Sequence, residues 1–135
     1  MKKIIVMLLM ICSVFMITGC KPKEYTVTLK FEDGTVFEEL VVEEKVSVTL
    51  NSPSKEGYTF VKWNTNIDGS GTSYTNGQTI RNLVTENNGN IILYAVWQAN
   101  KYTVSYNANG GKITPSSNGV TYNETYGTLP TVERV

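Results

Sequence analysis

The segment Lys101-Tyr102-Thr103-Val104-Ser105-Tyr106 restates Glu24-Tyr25-Thr26-Val27-Thr28-Leu29 after 77 residues, the separation of Tyr102 from Tyr25. Thr128-Leu129 then follows its own pair of strands much as Thr49-Leu50 does. Self-similarity on this scale constrains the fold more than any average over the chain, because each copy has to work as one supersecondary unit. Carried forward, the second copy brings Val135 opposite Glu56, before any counterpart of Gly57-Tyr58. The second unit is therefore expected to lack its carboxyl-terminal half, which leaves an open sheet edge and an incomplete core.

Composition separates a leader from this repeated part. All four methionines fall within the first sixteen positions, and 14 of the first 19 residues are apolar, against about 41 of the remaining 116. Lys2 and Lys3 precede an apolar run from Ile4 to Ile17 broken by Ser13, and Thr18-Gly19 stand before Cys20. These are the charged, apolar and small-residue regions of a secretory signal. The run is shorter than the roughly 20 residues that a stable transmembrane helix needs. Ile17-Thr18-Gly19-Cys20 resembles the lipobox of bacterial lipoproteins. That resemblance implies cleavage between Gly19 and Cys20, lipidation of the Cys20 thiol, and membrane attachment through the acyl chains. Removing Lys2 and Lys3 leaves 10 basic against 12 acidic side chains, a weakly acidic balance that does not favour nucleic acid.

The remaining chain divides into a polar tether, residues 20–24, a first unit over 25–98 and an incomplete second unit over 101–135. Tyr25, Val27, Leu29 and Phe31 alternate with polar residues, which predicts a half-buried strand, and Asp33-Gly34 predicts a hairpin turn. A second strand is expected over 35–42, and Val46, Val48 and Leu50 alternate again. Glu38-Glu39 and Glu43-Glu44 read as solvated positions around Leu40-Val41-Val42. Residues 57–64 form an aromatic-rich element, and residues 65–77 a glycine-rich loop. Thr79 to Glu86 has room for one helical turn. Ile91 to Trp97 is continuously apolar and reads as a central strand covered on both faces.

Gly57-Tyr58-Thr59-Phe60-Val61-Lys62-Trp63-Asn64-Thr65, then Asp68-Gly69-Ser70-Gly71-Thr72-Ser73-Tyr74, then Leu93-Tyr94-Ala95-Val96-Trp97, resemble the internalin B-type repeat, also called the Listeria-Bacteroides repeat. The opening of the same repeat recurs in Tyr102 to Tyr106, Asn107-Ala108-Asn109-Gly110-Gly111, Thr121-Tyr122 and Tyr126-Gly127-Thr128-Leu129-Pro130. The resemblance implies a mostly β, α+β, β-grasp-like unit found in tandem on bacterial surfaces and associated with adhesion rather than catalysis. Lys62 departs from the small residue usual before the tryptophan, and Glu32-Asp33-Gly34 shortens the usual turn.

Candidate chemistry is sparse. The chain has no histidine, which excludes Ser-His-Asp, Cys-His and His-metal sites. Asn64, Asn66, Asp68 and Gly69 imitate the start of a calcium loop, but Thr75 stands at position twelve, where a bidentate glutamate belongs, so turn chemistry is the reading. Gly69-Ser70-Gly71 is no nucleophile elbow, and no pair of carboxylates is placed by a recognisable scaffold. Tyr58, Phe60, Trp63, Tyr74, Tyr94 and Trp97 read mainly as core, with Trp63 and Tyr74 as candidate exposed binding residues. The expectation is a lipid-anchored extracytoplasmic protein of the cell envelope, non-catalytic and without cofactor or metal, whose repeat meets an unknown protein or glycan. A structural spacer or a glycan-recruiting accessory module is the alternative.

Overall fold

The computed structural model describes residues 21–133, so the leader, Gly19 and Cys20 lie outside the described residues. Eleven strands follow one another: β1 (Glu24–Lys30), β2 (Val36–Glu43), β3 (Val48–Thr49), β4 (Tyr58–Asn64), β5 (Ser73–Tyr74), β6 (Thr79–Ile80), β7 (Gly89–Ala99), β8 (Lys101–Ser105), β9 (Lys112–Thr114), β10 (Ser117–Thr121) and β11 (Thr131–Glu133). The mostly β class read from the sequence is the class observed, with no helix among the described residues. The helical turn expected within Thr79 to Glu86 is corrected. Thr79-Ile80 instead pair antiparallel with Val48-Thr49, and Ile80 is buried. One isolated turn fixes several dihedrals for a single hydrogen bond, whereas this pairing delivers Ile80 to the core.

Five strands make the main sheet, in the order β2-β1-β7-β4-β5. The β1–β2 hairpin turns where Asp33-Gly34 predicts it. Gly34 has φ of 84°, its N–H donates to the Phe31 carbonyl at 3.0 Å, and the Thr35 N–H donates to Asp33 Oδ1 at 2.8 Å. β7 runs parallel to β1, with Val27 opposite Ile91 and Leu29 opposite Leu93, and antiparallel to β4. Its central place agrees with the continuous apolar run, because only an inner strand has neighbours on both edges.

Burial is one-sided, however. Tyr25, Val27, Leu29, Val42, Leu93, Ala95 and Trp63 face a core closed by Leu50 and Ile80, with Val48, Leu83 and Val84 packed against it. On the opposite face Ile92, Tyr94 and Val96 are only half-buried, which corrects the expectation that β7 is covered on both faces. The loop after β4 covers that face in part, and nothing else described lies over it.

The second unit repeats the hairpin. β8 pairs antiparallel with β10, and β9 with β11. Every buried hydrophobic residue described lies between Tyr25 and Ala95, so this unit adds none. Asn100 is the single residue between β7 and β8. Its N–H donates to the Gly57 carbonyl at 2.9 Å, its carbonyl accepts from the Tyr122 N–H at 2.8 Å, and its Oδ1 accepts from Thr59 Oγ1 at 2.7 Å. Tyr122 lies edge-on to Tyr58 with 5.4 Å between ring centroids. It also rests against Gly57, where a Cβ would overlap its ring and where φ of 74° disfavours any side chain.

Candidate functional site

The loop from Asn64 to Ser73 is built around one buried amide. Asn64 is fully buried. Its Nδ2 donates toward the Gly69 carbonyl at 3.1 Å, the Gly71 carbonyl at 3.0 Å and Ser73 Oγ at 3.0 Å. Its Oδ1 accepts from the N–H of Asn66 at 2.8 Å and of Gly71 at 2.9 Å. Backbone groups that would otherwise be orphaned inside the turn are satisfied by a single side chain. Thr65 closes the neck, its N–H donating to the Thr72 carbonyl at 3.0 Å and its Oγ1 accepting from the Thr72 N–H at 2.9 Å. Gly71 has to be glycine, because a Cβ there would overlap Thr65 Oγ1.

At the tip, Asp68 Oδ1 accepts from the Ser70 N–H at 3.0 Å and from Ser70 Oγ at 2.6 Å. These bonds, that of the Ser70 side chain above all, hold the Asp68 carboxyl below its ordinary pKa. The amide oxygen of Asn64, first position of the calcium-like pattern, is occupied by two backbone N–H donors, so in this geometry the residue organises the loop. Lys62 continues the tie, its Nζ donating to the Gly69 carbonyl at 3.2 Å. This is the position that departs from the usual small residue, and its side chain spans the same face.

The rigid loop and Tyr94 of β7 enclose an open groove of about 390 Å³, lined by Thr65, Asn66, Ile67, Asp68 and Tyr94. Ile67 is 57% exposed at its rim. An exposed aliphatic side chain, a half-buried phenol, amide and hydroxyl groups and one carboxylate together offer apolar contact and hydrogen bonding to a neutral or weakly basic partner.

The two aromatic residues singled out from the sequence sit elsewhere. Trp63 and Tyr74 are directly opposed across β4 and β5. Trp63 is fully buried, its Nε1 donating to the Asn51 carbonyl at 3.2 Å, so the expectation that it is exposed is corrected. Strict alternation from Tyr58 and Phe60 puts Lys62 inside and Trp63 outside. A bulge between Phe60 and Lys62 reverses that parity. Tyr74 is half-buried and packs against the core.

At the same end of the core Phe31, Phe37, Phe60, Trp63 and Trp97 form a ring-to-ring chain with centroids 5.2 to 6.5 Å apart. Lys55 caps it, ion-paired with Glu32 and lying 4.4 Å from the Tyr58 ring centre and 5.7 Å from that of Trp97. Partial burial pushes the Glu32 carboxyl up. Its hydrogen bond and attraction to Lys55, with help from its own backbone and the Trp97 indole, outweigh this and leave it below the ordinary value.

The model of the Listeria-Bacteroides repeat domain matches residues 25–96 and 102–135. The chain belongs to this family. Within the Listeria-Bacteroides repeat, the first match contains the Asn64 loop, the groove and nearly the whole main sheet, and the second spans the β8–β10 and β9–β11 hairpins. A protein of Evansella cellulosilytica, named as a candidate Gly-rich membrane protein, is 51% identical over 57 residues. The alignment covers 42% of this chain and 6% of that protein, so the chain corresponds to a small part of this relative's length.

Proposed function

We propose that this Listeria-Bacteroides repeat protein is a lipid-anchored, non-catalytic interaction module on the outer face of the cell membrane. It meets a protein or glycan partner through the groove between Ile67 and Tyr94. The observation that carries the reading is the Asn64 loop, in which five hydrogen bonds from one buried side chain hold the rim in place before any partner arrives. A preorganised rim lowers the ordering cost of association. The leader and Cys20 support attachment by lipid, in which each buried methylene contributes about 0.8 kcal/mol. The name of the Evansella relative is consistent with an envelope location.

Two measurements test it. Cys20→Ala is expected to release the protein from the membrane fraction and abolish the lipid-shifted amino-terminal mass; a variant that stays membrane-bound with unchanged mass sinks the anchor. Saturable binding on a glycan array or to intact cells is expected to be lost in Ile67→Asp and Tyr94→Ala. Absence of saturable binding by the parent protein removes the interaction reading. A spacer role is the second reading, favoured by the one-residue Asn100 junction and the docking of Tyr122 on Gly57, which fix one unit against the next.

A further inference from the structure

The second unit presents an unoccupied strand position whose occupant in the first unit is visible. β8 and β10 reproduce the pairing of β1 and β2, with Tyr102 opposite Val120 as Tyr25 is opposite Val42. In the first unit the far edge of β1 holds β7 in parallel. No strand among the described residues pairs with the far edge of β8.

The backbone orientation follows from two bonds. The Tyr106 N–H donates to the Ser116 carbonyl at 2.9 Å, and the Asn100 carbonyl accepts from Tyr122, so residues 100 and 106, and by alternation 102 and 104, turn toward β10. Lys101, Thr103 and Ser105 therefore turn their N–H and C=O groups to the open side. Their counterparts 77 positions earlier are Glu24, Thr26 and Thr28, and the Glu24 carbonyl accepts from the Asn88 N–H at 2.7 Å where β7 begins. Side chains agree with the backbone: Tyr25 is 2% exposed and Tyr102 49%.

We infer that the open edge of β8 is a strand-acceptor site for an extended apolar segment of β7 chemistry, supplied by a separate polypeptide and added in parallel, with an Ile91-like side chain opposite Val104. A folded second copy is not the donor, because its own β7 is held on both edges by β1 and β4. The donor is a chain in which such a segment is extended and unpaired. Main-chain bonds would supply affinity and alternate side chains the register. This site is independent of the groove, so failure of one leaves the other standing.

The test uses the full chain in detergent and a synthetic peptide of the β7 sequence, residues 88–98, flanked by lysines for solubility. Saturable one-to-one binding is expected, with hydrogen exchange at Lys101, Thr103 and Ser105 slowed at least roughly tenfold and the β10-facing amides unchanged. A nitroxide at the peptide amino terminus should broaden Tyr102 more than Tyr106. Thr103→Pro removes an open-side donor without touching the β8–β10 ladder and should weaken binding at least about tenfold, since edge strands accept proline. A peptide N-methylated on its bonding edge should fail equally on the unaltered protein. No binding, co-aggregation without protection of β8, protection at another edge, or binding indifferent to both modifications would overturn the site.

Discussion

The β1–β2 and β8–β10 hairpins begin from the same residues and keep the same Tyr–Val cross-strand pair, yet in the first unit Val27 and Leu29 are fully buried while their counterparts Val104 and Tyr106 are only half-buried. The difference does not lie in the hairpins. It lies in partners more than sixty residues along the chain, β7 beside β1, and in the β3–β6 pair that brings Ile80 and, next to it, Leu50 over the sheet. A period-two pattern thus prepares a face, and only a second layer makes it a core. In the second unit the contact between the Tyr106 and Tyr126 hydroxyls and the docking of Tyr122 on the first unit stand where such a layer would be.

The largest test of this contrast is Trp63→Ala. It should cost about 3–5 kcal/mol, read from the denaturant midpoint by circular dichroism, because the side chain is fully buried in the first unit. Protection of the β8–β10 amides is expected to fall with it; persistence would mean that the second hairpin stands without the first unit.

Asn64→Ala comes next, at roughly 2–3 kcal/mol, because it strands buried backbone groups of the loop. Fast exchange confined to residues 65–72 would be seen by NMR. A loss below experimental error would show that water replaces the amide.

The matched pair Val27→Ala and Val104→Ala puts the comparison most directly. We expect about 2 kcal/mol for the first and less than about 1 kcal/mol for the second in chemical denaturation. Equal losses would mean that the second hairpin owns a core of its own.

Gly57→Ala should cost about 1–2 kcal/mol, from its positive φ and the displacement of Tyr122, and should loosen the junction. In NMR relaxation the two units would change from one correlation time to two.

The smallest effect belongs to Glu32. Its folded carboxyl lies below the ordinary value, so the stability it adds is present above that value and is lost as pH falls through the folded one. With its side chain 42% exposed, the ion pair is screened by solvent. Comparing Glu32→Gln with the parent by thermal melts between about pH 5 and pH 3 should show a slightly flatter slope in the variant. Identical slopes would remove Lys55 as a capping partner.

The sequence by itself determined the strands, the Gly34 turn, the division into repeated units and the central place of β7, because alternation, turn residues and unbroken apolar runs are local properties of a chain. Tertiary structure decided four matters that local pattern does not carry. One inserted residue at Val61 reversed strand parity and drew Trp63 into the core. Pairing with β3 made Thr79-Ile80 a strand instead of a helical turn. The layer of Leu50 and Ile80 covered one face of β7 and left Ile92, Tyr94 and Val96 half-open, so that Tyr94 became a groove wall. Asn64, legible beforehand only as a turn residue, became the centre of its loop once the chain had closed around it. Parity and coverage depend on what each residue meets across the sheet, and that is settled only when distant segments compete to bury the same surface.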